Sequence, residues 1–353
     1  MRLCNVAVVM GGVSPEHPIS LKSGMNVLAH LSSAKYKTRA VVILEDGSWC
    51  LPEGEVNEEN LLCLKDELRP EGAIAALVAW GMDVAYLALH GPNGEDGTVQ
   101  GLFHMAGIPY TGSGIEASAV CMNKNLTRMV AAQEGVRIAP AILLSKEEID
   151  AHGIDLLDKI KRATGYPVYI KSLRSGSSLG VHLVEKQEAL AAALDQAFRI
   201  DEQVLIEKEI KGREITCGVL SGLSDEFRAL PPVEIRSKHR FFDYKSKYNA
   251  ALAEEICPAQ ISAKDLARVQ ETAVALCRRV GTRGIARVDF IFDESDLWFL
   301  EINTIPGLTP ESIVLKEAKT ANMSLEALME YPIQAAIEFS RRIPKQYPLQ
   351  EEL

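Results

Sequence analysis

The chain has 353 residues, 47% hydrophobic and 24% charged, with a formal charge of −10. That length suits two or three hydrophobic cores, and an acidic chain without a long basic run is excluded from general nucleic-acid binding. Seven scattered cysteines, an odd count with no C-x-x-C pair, read as reduced core residues rather than a disulfide framework or a zinc site.

The apolar run from Val6 to Met10 is too short for a signal-peptide core and suits a first strand. The longest apolar run, 73–80, is far below the length of a membrane span, so a soluble, cytoplasmic protein is expected. In chain order, "NVAVVM" reads as a strand, "ISLKSGMNVLAHL" as a helix, and "TRAVVIL" and "DVAYLAL" as strands. "TVQGLFHMAG" reads as a helix, and "IPYTG" closes this unit near residue 112. Such alternation implies α/β architecture, a doubly wound parallel sheet with helices on its faces. The Gly-rich segments "GGVSPEH" and "HGPNGEDG" each follow a strand, at the edge where open α/β sheets bind ligands.

The helix "NKNLTRMVAAQEG" ends on Gly135. The strand "AILLS", a helix near 154–163, "PVYIK", the loop "SLRSGSSLG", "VHLVE", the helix "QEALAAALDQAF" and "QVLIEKEI" then form a small α+β unit. A larger α+β unit follows, with the strand "EITCGVL", the polar aromatic stretch "RSKHRFFDYKSKYNAA" and the helix "AKDLARVQETAVALCRRVG". It continues into a hairpin, "GIARVDFIF" and "LWFLEINT", joined by "DESD". The expected domains are 1–115, 116–215 and 216–353.

Side chains alternate faces along a strand, so Arg287 shares a face with Asp289, and Glu301 with Asn303. Pairing centred on Ser295 sets Asp289 opposite Glu301 and Arg287 opposite Asn303, whereas a one-residue slip separates the two acids. Two carboxylates and an amide carbonyl suit a hard cation such as Mg²⁺ that shares its coordination with phosphate. Taken alone, the hairpin favours a structural Arg–carboxylate network over a metal cage, because motif-like spacings arise by chance. The loop "KSLRSGSSLGV" combines glycines with Ser177 and Ser178, a composition suited to wrapping phosphate and equally to a plain flexible connection. It joins two strands and so is not a Walker A loop. Lys171 leads into it and Lys124 starts the preceding helix; each taken singly reads as a solvated surface charge.

Together these segments resemble the D-alanine–D-alanine ligases of the ATP-grasp superfamily. The resemblance runs in order through "GGVSPEHPIS", "HGPNGEDGTVQG", "IPYTG", "IKSLRSGSSLGV", "IEKEIKGREITCGVL", "PPVEI", "FFDYKSKY", "GIARVDF" and "LEINTIPGLTPES", nearly the whole chain. It implies a two-part ATP-grasp fold after the N-terminal sheet. The implied reaction phosphorylates the carboxylate of one D-alanine with ATP, after which the amine of a second D-alanine displaces phosphate to make D-alanyl-D-alanine for peptidoglycan precursors.

By the same resemblance, Asp289, Glu301 and Asn303 hold two Mg²⁺ (or Mn²⁺) ions, and Lys124 and Lys171 contact phosphates. Glu207, the Lys208 carbonyl and the Ile210 amide form the adenine hinge, and Glu214 meets the ribose. Glu16 holds the first substrate's ammonium, networked with Ser177 and Tyr248; read on its own it is a helix first-turn acid. His90 belongs to the substrate site, although alone it reads as a core or capping histidine. "FFDYKSKY" is a mobile loop that excludes water, with Lys247 facing the phosphate and Tyr248 the substrate, which favours an amine nucleophile. Arg287 and the Gly307 amide are the oxyanion donors, and Ser312 and the Ile313 amide receive the second carboxylate. A homodimer is implied. The chain departs from the family's pattern at Asn123, where Asp is frequent, and at Ser175, where an acid is common; neither is a metal ligand. The alternatives are a D-alanine–D-serine ligase, then a D-alanine–D-lactate ligase, or a non-catalytic nucleotide-binding module.

Overall fold

Three sheets organise the residues that the computed structural model describes, 2–54, 56–57, 67–176, 180–224, 226–237, 253–293 and 295–342. The first contains β1 (Cys4–Gly11), β2 (Tyr36–Ile43), β3 (Trp49–Cys50) and β4 (Val84–Leu87) in the order β3-β2-β1-β4. β1 runs parallel to β2 and β4, and only the edge strand β3 is antiparallel. β1 is apolar on both faces because both are covered. Val6, Val8 and Met10 pack with Val27 of helix α1 (His17–His30). Ala7 and Val9 pack with Leu77 of α2 (Pro70–Ala79) and Phe103 of α3 (Thr98–Met105). The apolar run at 73–80 therefore falls in α2, which buries Ala73 and Leu77 and leaves Val78 exposed.

Helices α4 (Ile115–Met122) and α5 (Lys124–Gln133) lead to β5 (Arg137–Ile138), which joins the edge of the third sheet alongside Trp298 and Phe299. The second sheet holds β6 (Ala141–Ser145), β7 (Val168–Ser172), β8 (His182–Val184) and β9 (Gln203–Lys208), antiparallel in the order β6-β9-β7-β8. Helix α6 (Lys146–Thr164) starts eight residues before the expected 154, because Ser145 and Glu148 make a reciprocal capping box there. Helix α7 (Leu190–Ala197) packs Leu190 and Leu194 on this sheet.

The third sheet comprises β10 (Arg213–Leu223), β11 (Glu226–Ala229), β12 (Val233–Ser237), β13 (Ala253–Ile256), β14 (Gly284–Phe292) and β15 (Leu297–Asn303), completed by β5. Its amphipathic helix α8 (Ala263–Val280) is capped by the Ser262 hydroxyl and closes on Gly281, whose φ of +73° suits glycine. Helices α9 (Ile313–Thr320) and α10 (Leu325–Arg342) follow. Leu328, Met329 and Ile333 of α10 share one core with Val6, Val8 and Tyr86, so the first sheet and α10 bury each other. Arg283 reinforces this junction by donating to the carbonyls of Gly112 (2.9 Å) and Tyr110 (3.0 Å). Among the described residues no helix is long and apolar enough to cross a membrane.

Candidate active site

The hairpin β14–β15 sets Asp289 opposite Glu301 and Arg287 opposite Asn303, as expected from the sequence. A β-bulge makes this possible. At the turn Phe292 pairs with Leu297, a register that carried straight on would bring Leu300 to Asp289; instead the register shifts between Asp289 and Phe290, leaving Leu300 as the extra residue. Asp289 is 5% exposed. Arg287 donates to both its oxygens at 2.8 Å, Thr216 to Oδ1 at 2.5 Å and Asn303 to Oδ2 at 3.1 Å. Burial opposes the Arg287 charge, but Asp289, followed by Glu301 and Glu317, outweighs it and holds the guanidinium above its ordinary range. Thr216 lies opposite Asp289 on β10. Sequence reasoning missed it, because "EITCGVL" carries no polar pattern until its neighbour strand is known.

Asp289, Glu301 and Asn303 supply only hard oxygen donors from one face, a set that fits Mg²⁺ or Mn²⁺. Among the described residues no group of three His, Cys, Asp or Glu side chains could hold a metal by itself. A cation here would therefore draw further ligands from water or phosphate, the usual habit of Mg²⁺.

The same acids border a cleft of about 690 Å³ between the second and third sheets, lined also by Lys124, Lys171, Glu207, Lys208, Ile210 and Glu214. Lys124 is the first residue of α5 and donates to the Ser175 carbonyl in the Gly-rich loop. Asn123 is the N-cap, accepting from the amides of Asn125 and Leu126. The Glu207 carboxylate, expected at the adenine hinge, lines this cleft and is held there by two cations. It is 6% exposed and lies between Arg128 Nε (2.8 Å) and Lys171 Nζ (2.5 Å). Arg128, from α5, is a further residue that sequence reasoning missed.

Glu16 is the N-cap residue of α1, but its side chain caps nothing, so the first-turn reading does not describe it. The carboxylate instead sits between two glycines. A Cβ on Gly91 would lie 2.6 Å from Glu16 Oε2, and one on Gly176 would lie 2.4 Å from it. Gly176 directly precedes Ser177, so the N-terminal unit and the Gly-rich loop converge on this acid. Ser177, Lys247 and Tyr248 lie outside the described residues.

His90 is buried, and burial pushes its imidazole down to about 4, so it is neutral. Nδ1–H donates to the Ile305 carbonyl (3.1 Å), Nε2 accepts from Ser23 Oγ (3.0 Å), and Ser23 accepts from the Leu308 amide (3.2 Å). Both ring nitrogens are engaged, so His90 holds the 305–308 turn rather than offering a nitrogen to substrate. Glu95 holds the same turn by accepting from the Ile305 amide (3.2 Å) and from Gly91 (2.8 Å). Burial, then the nearby Glu16, pushes its carboxyl above the ordinary carboxylate range. Its only sequence signal was an acid inside "GPNGEDG", a loop read there as lying at the ligand edge of the sheet. Gly307 lies within this clamped turn, where an added Cβ would lie 3.0 Å from Ser312 Oγ. Ser312 stands at the N-cap position of α9, its hydroxyl bonded to Thr309 rather than to the helix, and Ile313 opens the helix, so the Ile313 amide is among those a helix leaves for a bound anion.

Glu317, also on α9, is fully buried. Its Oε1 accepts from the Gly218 amide (2.8 Å), and Oε2 has no hydrogen-bond partner. Burial pushes this carboxyl from 4.5 up to about 8. The folded state therefore keeps a proton that the unfolded chain sheds above pH 4.5, and stability falls as pH rises toward 8. Below the ordinary histidine value of 6.5, the depressed His90 acts in the opposite sense. Without divalent cations, the melting temperature should fall between pH 6.5 and 8, and Glu317→Gln should flatten that fall and raise the value at pH 8. An unchanged slope in thermal melts would count against a neutral Glu317.

Residues 5–113 match the family model described as D-ala D-ala ligase N-terminus, and residues 130–334 the model described as D-ala D-ala ligase C-terminus. The D-alanine–D-alanine ligase of Geobacter sulfurreducens is 38% identical over 94% of this chain and 93% of that protein. The one from Leptospira interrogans is 34% identical over 96% and 99%. Among solved structures, the VanG D-Ala:D-Ser ligase from Enterococcus faecalis superposes with a TM-score of 0.80 at 29% identity, covering 95% of this chain and 100% of that one. The D-alanine–D-alanine ligase from Coxiella burnetii gives 0.79 at 26% identity, covering 97% and 96%.

Proposed function

The chain belongs to the D-alanine–D-alanine ligase family and has its ATP-grasp fold, and on that premise we propose how its cleft activates one D-alanine and joins it to another. It is an ATP-dependent ligase that forms D-alanyl-D-alanine, the dipeptide of peptidoglycan precursors.

ATP lies with its adenine at the Lys208 carbonyl and Ile210 amide, its ribose at Glu214 and its phosphates between Lys124 and Lys171. Asp289, Glu301 and Asn303 hold two Mg²⁺ (or Mn²⁺) ions, which neutralise polyphosphate charge when bound. Glu16 takes the ammonium of the first D-alanine, whose carboxylate oxygen attacks the γ-phosphorus and releases ADP, leaving an acyl phosphate. The second D-alanine is received through its carboxylate by Ser312 and the Ile313 amide. Its amine, once deprotonated from the ammonium, attacks the acyl carbon, and Arg287 and the Gly307 amide receive the oxyanion. Phosphate leaves with the C–O electron pair, while the amine's surplus proton passes to solvent or the departing phosphate. By the resemblance, Ser177 and Tyr248 join Glu16 in the first-substrate network, Lys247 faces the transferring phosphate, and the loop carrying Lys247 and Tyr248 shields the acyl phosphate from water.

One observation carries this reading: the two hairpin acids and the two lysines line a single cleft. The change of sheet between β9 and β10 supports a division near residue 215, while β5 of the expected 116–215 unit joins the third sheet. The reading extends to a cytoplasmic homodimer acting on small molecules, with neither nucleic acid nor membrane as a partner. A D-alanine–D-serine ligase is the second reading, since a D-Ala:D-Ser ligase is among the similar solved structures. Incubation with ATP, Mg²⁺ and D-alanine, alone or with D-serine or D-lactate, and with L-alanine as control, tests both by product identification. D-alanyl-D-alanine is the expected main product. Preferential D-alanyl-D-serine formation would select the second reading, and no product at millimolar D-alanine would remove the first.

A further inference from the structure

Helix α5 carries Lys124 at its start and Arg128 four residues on, so the two cations share a helix face. Arg128 is 7% exposed and donates to the Ala139 carbonyl, and its Nε lies 2.8 Å from Glu207 Oε1. The other oxygen of Glu207 lies 2.5 Å from Lys171 Nζ. Lys171 is on β7 and Glu207 on β9, diagonal neighbours, since Tyr169 is the residue directly opposite Glu207. One carboxylate is thus divided between two cations, and the three groups together carry one positive charge.

We propose that Arg128 is a positioning residue that sets the charge of the phosphate end of the cleft, by occupying half of Glu207 so that Lys171 is not neutralised. This rests on the reading of Lys171 as a phosphate contact. Without Arg128, Lys171 and Glu207 would form a closed pair of zero net charge, and an approaching polyphosphate would meet the acid as strongly as the ammonium. With Arg128 behind it, Glu207 still orients Lys171, and the surplus charge faces the cleft that both Lys171 and Glu207 line. Arginine suits the post. Its guanidinium remains charged when buried and is weakly hydrated; it donates to the Ala139 carbonyl and faces Glu207 as a close ion pair, with no hydrogen bond aligned from Nε.

The effect should discriminate phosphate from nucleoside. In the full-length enzyme with Mg²⁺, Arg128→Met should weaken ATP binding about ten- to thirty-fold, the scale of one unit charge several ångströms away at an effective dielectric near 20. Adenosine binding, measured by calorimetry, should change by less than about threefold, a spread within ordinary context effects. Arg128→Gln, which keeps a polar N–H donor on a shorter side chain while removing the charge, should behave alike and serves if the methionine variant does not fold. Adding Glu207→Gln to either variant frees Lys171 and should restore ATP affinity, which a merely structural arginine would not predict. Lys171→Met tests the underlying reading separately: if it leaves the ATP-to-adenosine ratio unchanged, Lys171 is no phosphate contact. If Lys171→Met shifts that ratio while the Arg128 variants weaken ATP and adenosine equally, or Glu207→Gln fails to rescue, Arg128 only supports the fold and the proposal is overturned.

Discussion

Arg287→Met should lower kcat about 10²- to 10³-fold with the KM for ATP little changed, the scale set by loss of one preorganised oxyanion donor. The structure supplies the reason for expecting a kcat effect. Arg287 is held by Asp289 through two N–H groups, and a guanidinium has five, so three remain for charge that develops during attack. Their direction is set in advance by the Asp289 fork, which limits the reorganisation needed during reaction. The substitution also strips Asp289 of its principal counter-charge, leaving Thr216 and Asn303 as donors. Steady-state kinetics should therefore be read beside a thermal melt. A folded variant whose kcat drops less than tenfold would remove Arg287 from the chemistry.

Glu301→Gln should raise the Mg²⁺ concentration for half-maximal activity by more than tenfold, while the fold stays intact. Substitutions of outer-shell partners already cost about 10–100-fold in metal affinity or activity, and a direct ligand should cost no less. Glu301 is the better choice over Asp289, because Asp289 also anchors Arg287 and Thr216, so its loss would mix binding with structure. Asn303→Ala should act in the same direction. Saturating Mg²⁺ should recover part of the lost rate, since the remaining oxygen ligands are still in place. A metal titration superimposable on that of the unaltered enzyme would show that these side chains form an arginine–carboxylate network and nothing more.

Much of the site could be read before any coordinates. Period-two alternation set Asp289 with Arg287 and Glu301 with Asn303, and strand-following glycines marked the ligand edge of the first sheet. What stayed hidden were residues whose partners are remote in the chain. Arg128 and Glu207 are 79 positions apart, and His90 meets Ile305 across 215. Nothing local distinguishes such an arginine from a solvated helix charge, or such a histidine from a substrate contact. Ser177, Lys247 and Tyr248 remain expectations from the resemblance.

The order of residues was enough to say that four polar groups share faces within one hairpin, because alternation along a strand depends only on neighbouring backbone angles. It could not say that the faces coincide. That rests on Leu300, whose bulge moves Glu301 into line with Asp289 against the register begun at the turn. A bulge is chosen where packing on both flanking strands outweighs a lost ladder bond, and such a comparison exists only once the sheet has assembled.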